Sequence, residues 1–319
     1  MADTMHALRL HARGGPEQMR YEDAPLPYVG IGDVLLRVQG ASFTPTELTW
    51  PSTWVDRLGR DRLPVIPGHE VSGVVAGLGY GTTGARVGDE VYGLIDWYRD
   101  GAAADYTALP VRNLAPKPAS LDHVRAAMVP LAGLTAWQGL FDHAGLEEDQ
   151  RVLILGAAGG VGVFAVQLAA AAGAVVVGSG RAWSKELVLD LGAGEYVDLE
   201  HQRLADLDGV DVVFDLIGGQ VLEKTWPVVK RGGMVVSAVE DSLEAAAGER
   251  GLRGVFFVVE PSPEGLGHLA RRIDDGRLRP VAGDVLPLER GREAFETKRR
   301  GGVPGKSGLS VGEAKAKAA

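Results

Sequence analysis

The chain has 319 residues, 45% of them hydrophobic and 24% charged, an ordinary globular composition with room for two domains or one large one. Its formal charge of −9 is spread without an acidic or basic block, which argues against nonspecific nucleic-acid binding as its main activity. It contains no cysteine, which excludes disulfides, cysteine-rich zinc sites and a thiol nucleophile, and fits a cytoplasmic location.

The opening residues, MADTMHALRLHARGG, lack the apolar core of a signal peptide. The longest apolar run, 161–177, is broken by Gln167 and Gly173 and is too short and alanine-rich for a membrane span. The first third reads as β-rich: 34–43, 71–79 and 89–95 are short β-prone runs divided by glycine and proline. Helical spacing begins near Asp122 and continues over 121–146, with a break at Pro-Leu-Ala-Gly. From Arg151 strands and helices alternate: strand 151–156, helix 161–173, strand 174–179, helix 184–193, strand 211–219, helix 220–233 and strands 234–239 and 254–260. Near-continuous Val/Ile/Leu strands between helices imply a doubly wound parallel sheet covered on both faces. A further helix is predicted in 262–278, with Ser262 as N-cap and Pro263 at its first position. The stretch 295–311 then closes the chain as a loop and a strand, followed by a small, charged, frayed tail over 312–319.

The most informative segment is RVLILGAAGGVGVFAVQLAAAAG, 151–173. A buried strand runs into Gly156, Gly159, Gly160, Val161 and Gly162, and a helix follows at once. Bare backbone N–H groups at a helix N-terminus suit a phosphate, and the strand before and after supplies the context of a dinucleotide unit. No acid occurs between Gly162 and Glu186, where an NAD site usually carries one. The second strand ends instead in GSGRAWSK, which offers Ser179, Arg181 and Lys185 to a 2′-phosphate. NADP(H) is the cofactor this predicts; the alternative makes Arg181 and Lys185 solvated surface charges.

Taken together, GASFTPTEL, PGHEVSGVVAGLG, VGDEVYGL, PLAGLTAWQGL, GAAGGVG, DLIGG and PGKSGLSV resemble the medium-chain dehydrogenase/reductases, in particular their zinc-independent quinone-oxidoreductase branch. The resemblance covers nearly the whole chain. It implies a GroES-like β-rich catalytic domain (1–123 and 261–319), a Rossmann domain (124–260) and an active-site cleft. It also implies hydride transfer from NADPH to quinones or α,β-unsaturated carbonyls, and a homodimer.

In zinc-dependent relatives the metal is held by a residue of the early loop, the histidine of GHE and a third ligand before the Rossmann domain. Those places fall here on Thr44, His69 and near Leu131, so no catalytic zinc is expected. His69 then either holds the cleft together by hydrogen bonds or acts on substrate. Without a metal, a conjugated acceptor is the easier substrate, because it spreads the charge that hydride delivery creates. Candidate donors to it are Thr44 and Tyr98, with Trp50, Trp54 and Trp97 as an aromatic pocket. The resemblance further places Thr135, Ile217, Gly218, Phe257, Val258 and Lys306 near the cofactor. Two rival readings stay open: a tailoring enoyl reductase for one biosynthetic intermediate, and a non-catalytic NADPH-sensing or RNA-binding protein.

Overall fold

The computed structural model describes residues 4–312; the tail 313–319 lies outside the described residues. The chain forms two compact units. One contains the N-terminal part as far as Leu131, Pro261–Asp275 and the chain from Ala282 onward, and the other contains Ala132–Glu260 and Gly276–Val281. The first boundary therefore falls beyond the expected 123/124, because the short helix His123–Ala127 packs on the β-rich unit. The carbonyl of His123 lies so close to Gly40 that a Cβ there would sit 2.4 Å from it, and the His123 ring bonds the Ser72 hydroxyl at 2.8 Å.

The β-rich unit is built on a seven-stranded sheet. Its long central strand Asp33–Ser42 pairs antiparallel with Glu70–Leu78 on one side and with the C-terminal strand Lys306–Ser310 on the other. Ser42 lies opposite Glu70 in one pairing and opposite Gly308 in the other. Three distant stretches of sequence thus end side by side, at Phe43–Thr44, at His69–Glu70 and at Lys306. Phe43 fixes this corner from below, its ring stacked at 3.8 Å on Phe295 of the helix Gly291–Arg300.

The second unit carries six parallel strands in the order Glu195–Asp198, Val175–Gly180, Arg151–Leu155, Val210–Asp215, Val229–Ser237 and Arg253–Phe256. The direction of winding reverses between Arg151–Leu155 and Val210–Asp215, which makes the ends of those strands the switch point of a Rossmann sheet. The sheet interior is Val and Leu from successive strands, as the near-continuous apolar runs require.

Several local expectations change. The helix expected over 220–233 stops at Glu223, because Pro227 interrupts it and Val229–Ser237 is already a strand. The stretch from Phe295 is not a loop at first but the end of Gly291–Arg300, held by buried Gly291, Ala294 and Phe295. Strands Glu195–Asp198 and Ala282–Pro287 and the helix Leu243–Gly248 were not legible as elements. Ser262 does cap Pro263–Asp274, its hydroxyl accepting from the Gly265 N–H at 3.0 Å.

That last helix is pinned to the sheet by buried Tyr92, which donates to the Leu266 carbonyl at 2.6 Å. Burial raises the Tyr92 phenol far above its ordinary value. Its neutral form is therefore favoured on folding, so its contribution is complete below about pH 10 and is lost as pH rises above that. Tyr92→Phe should cost about 1–3 kcal/mol at neutral pH and flatten the alkaline fall in stability, as denaturant melts across pH 8 to 11 (about the tyrosine range) would report.

Candidate active site

The glycine loop forms as a backbone cradle. Gly156 leaves the strand Arg151–Leu155 at φ +79°, and Gly159 closes a turn by donating to the Gly156 carbonyl at 2.9 Å. Gly162, the first residue of the helix Gly162–Ala171, packs so tightly that a Cβ would lie 2.2 Å from the Gly156 carbonyl oxygen. Gly160, Val161 and Gly162 present the N–H groups of the helix start, where no earlier turn exists to receive them. Opposite them, Asp215 is fully buried and accepts from the N–H groups of Ile217 and Gly218 at 3.0 and 2.8 Å, and from the Ser237 hydroxyl at 2.7 Å. This carboxylate shapes the DLIGG loop so that Ile217 reaches over Gly156. Asp215 and Ser237 were missed in the sequence, where DLIGG marked only the loop they hold.

The second strand ends at Gly180, followed by exposed Arg181 and Lys185. Arg181 lies 3.5 Å from Glu200, both side chains more than half exposed, so this pair is worth little by itself. Ser179 is not available to a phosphate: it is fully buried, and its hydroxyl donates to the Ile154 carbonyl at 3.2 Å. Tyr196 occupies the neighbouring strand end instead, bonded to the Arg181 carbonyl and the Ser184 hydroxyl, its phenol raised by burial. Thr135 is buried in the helix Pro130–Trp137. Phe257, expected near the cofactor, is buried, its ring 4.5 Å from His143 and close over Gly139, whereas Val258 is exposed.

The β-rich unit brings Thr44 and Lys306 into contact, and His69 precedes Glu70, the partner of Lys306. His69 is buried, its Nδ1 3.2 Å from the Glu47 carboxylate, which also accepts from the Gly68 N–H at 2.8 Å. Its Nε2 is buried without a hydrogen-bond partner, beside Trp50 and Trp97, whose rings lie 6.5 and 5.2 Å from the imidazole and edge-to-face with each other. Glu47 was missed in the sequence; its place three residues after Thr44 gave no signal. Trp54 does not join the aromatic group: it is buried, and its indole N–H donates to the Leu48 carbonyl. Tyr98 stands apart on the surface, under the Arg57 guanidinium at 4.6 Å.

Lys306, expected near the cofactor, is held by protein groups. It is 4% exposed, and its ammonium donates to the Phe43 carbonyl at 2.8 Å and the Thr44 hydroxyl at 3.2 Å while pairing with Glu70. The other Glu70 oxygen accepts from the Leu131 N–H at 3.0 Å. At the three positions of the zinc ligand set, then, stand a hydroxyl bonded to an ammonium, one imidazole nitrogen and a leucine. Among the described residues, the one cluster of three imidazole or carboxylate groups close enough to share an ion is Asp198, Glu200 and His201, at the surface of the parallel-sheet unit.

A two-unit fold with a dinucleotide cradle on a parallel sheet, joined to a β-rich unit with a His–Glu pair, defines a nicotinamide-dependent oxidoreductase. Residues 30–119 match the alcohol dehydrogenase GroES-like domain and residues 191–307 match the zinc-binding dehydrogenase family. The chain is 32% identical to a probable mitochondrial zinc-binding oxidoreductase of Arthroderma benhamiae, covering 90% of this chain and 91% of that protein. It is 34% identical to the 2-methylene-furan-3-one reductase of Solanum lycopersicum, over 88% and 72% of the two chains. Among solved structures, the quinone oxidoreductase from Coxiella burnetii superposes with a TM-score of 0.91 at 27% identity, over 97% of this chain and all of that one. The chain belongs to the medium-chain dehydrogenase/reductase superfamily, with quinone oxidoreductases and alkenal/one reductases among its relatives.

Gly162→Ala should abolish binding of a nicotinamide dinucleotide, because the added methyl meets backbone rather than a movable side chain. Fluorescence titration with NADPH and NADH checks this, and undiminished affinity for both would show that the loop is not the cradle.

Proposed function

We propose that the protein is an NADPH-dependent reductase of quinones or α,β-unsaturated carbonyls that works without a metal. The observation that carries the reading is the donor set around His69. Zinc takes three or four protein ligands. Here Thr44 is bonded to an ammonium, Leu131 has no ligating side chain, and Glu70 is committed to Lys306. The donor set does not fit zinc.

The glycine loop fits a pyrophosphate, and Gly156, Gly160, Val161 and Gly162 would hold it with backbone alone. Arg181 and Lys185 would take the 2′-phosphate, Arg181 exchanging Glu200 for it. When bound, the reduced nicotinamide supplies a hydride to the electron-poor carbon of the substrate. The chain's own residues do the rest. Thr44 donates a hydrogen bond to the substrate's carbonyl oxygen, where the negative charge collects. Glu47 orients the His69 ring through Nδ1, which leaves Nε2 as the nitrogen that exchanges a proton with the product. Trp50 and Trp97 give flat, conjugated rings an apolar surface and keep water from the nitrogen. The homodimer remains part of this reading on the resemblance, and the lack of a nucleic-acid partner on the acidic charge balance.

Purified protein should oxidise NADPH with a panel of quinones and enones; tight dinucleotide binding with no turnover would favour a sensor instead. Arg181→Ala should weaken NADPH about 10-fold or more (one charge-assisted contact) and leave NADH nearly unchanged. Equal losses for both cofactors would remove the basis for choosing NADPH.

A further inference from the structure

We infer that Lys306 is a positioning residue that turns Thr44 into a fixed hydrogen-bond donor for the substrate oxygen, an internal ammonium standing in for a Lewis acid. The inference rests on the reductase reading and adds to it the origin of the electrophile.

The geometry carries it. An ammonium has three donors and no acceptor, so at 3.2 Å the Lys306–Thr44 bond runs in one direction: Thr44 Oγ1 accepts. The remaining Lys306 partners, the Phe43 carbonyl and the Glu70 carboxylate, are also acceptors. The lysine is therefore held by backbone and by a buried counter-charge, and cannot swing away. Its hold consumes a lone pair of the Thr44 oxygen and leaves that hydroxyl's own proton to be given. No acceptor for that proton occurs among the described residues, and Thr44 is half-buried rather than enclosed. A hydroxyl that accepts from a cation is a stronger donor than a free one, and more so where water is excluded. Charge developing on a substrate oxygen at Thr44 would thus be passed to Lys306 through one hydrogen bond, with Glu70 keeping the assembly neutral. Glu70 is in turn oriented by the Leu131 N–H, at the start of the helix Pro130–Trp137.

Two other features carry less. The surface cavity of about 540 Å³ near Tyr98 is lined by arginines already paired, Arg99 with Asp33 and Arg62 with backbone carbonyls. The Asp198–Glu200–His201 group is an exposed cluster with nothing further pointing to an ion.

The test uses full-length protein with NADPH and 4-phenyl-3-buten-2-one as the enone. Thr44→Val should lower kcat about 100-fold, the scale of one lost oxyanion donor, with the Kd for NADPH unchanged and the thermal midpoint only modestly lowered. Thr44→Ser should restore most of the rate. The paired change Glu70→Gln with Lys306→Met removes both buried charges together, so neither is left alone. It should slow the Thr44 protein by about 10-fold or more, yet cost nothing further in the Thr44→Val background, since groups acting in series are not additive. Unchanged kcat in Thr44→Val, or losses that simply multiply, would overturn the inference while leaving the reductase reading intact. A wild-type protein that binds NADPH but reduces no enone or quinone would remove both.

Discussion

A buried ion pair between Glu70 and Lys306 organises the Thr44 corner of the β-rich unit. Both side chains are almost wholly out of water. Such a pair adds little net stability over an apolar one, but losing one partner leaves a bare charge and costs about 3–5 kcal/mol. The pair is possible because sheet register places its members: Ser42 lies opposite Glu70 on one flank and opposite Gly308 on the other. Residues far apart in sequence, Glu70 and Lys306, thereby become neighbours. The pair in turn bonds the Thr44 hydroxyl through Lys306 and the Leu131 N–H through Glu70.

The parallel-sheet unit solves a different problem by the same logic. Phosphate binding needs backbone N–H groups with no side chain in the way, which the close Gly162–Gly156 contact provides. The facing loop has to be held open against its own flexibility, and buried Asp215 does so with three hydrogen bonds, to Ile217, Gly218 and Ser237. One buried carboxylate in each unit thus has a structural task beside the chemistry: Glu70 in the first, Asp215 in the second.

The parallel sheet could be read from the chain because its strands are near-continuous apolar runs and its loop is a local pattern of glycines. The N-cap at Ser262 was legible for the same reason, being a property of four adjacent residues. The helix expected over 220–233 failed where Pro227 and an early strand start outweighed the helical spacing. What could not be read were the partnerships made by register. Lys306 looked like a surface or cofactor lysine, because nothing near it in sequence announces Glu70 or Thr44. Glu47 passed unnoticed beside Thr44, and Ser179 looked like a phosphate ligand until the Ile154 carbonyl was seen to take its hydroxyl. Lys306, Glu47 and Ser179 are polar groups whose partners are distant in sequence, and a buried polar group needs a partner.

The central claim is that an internal ammonium, and no metal, occupies the chemical role at the Thr44 corner. The most direct measurement is the zinc content of the purified protein by elemental analysis, taken alongside its rate of enone reduction before and after prolonged chelation. The account predicts far less than one zinc per chain and a rate that chelation leaves unchanged. One zinc per chain, with activity lost on its removal and regained on its return, would contradict it.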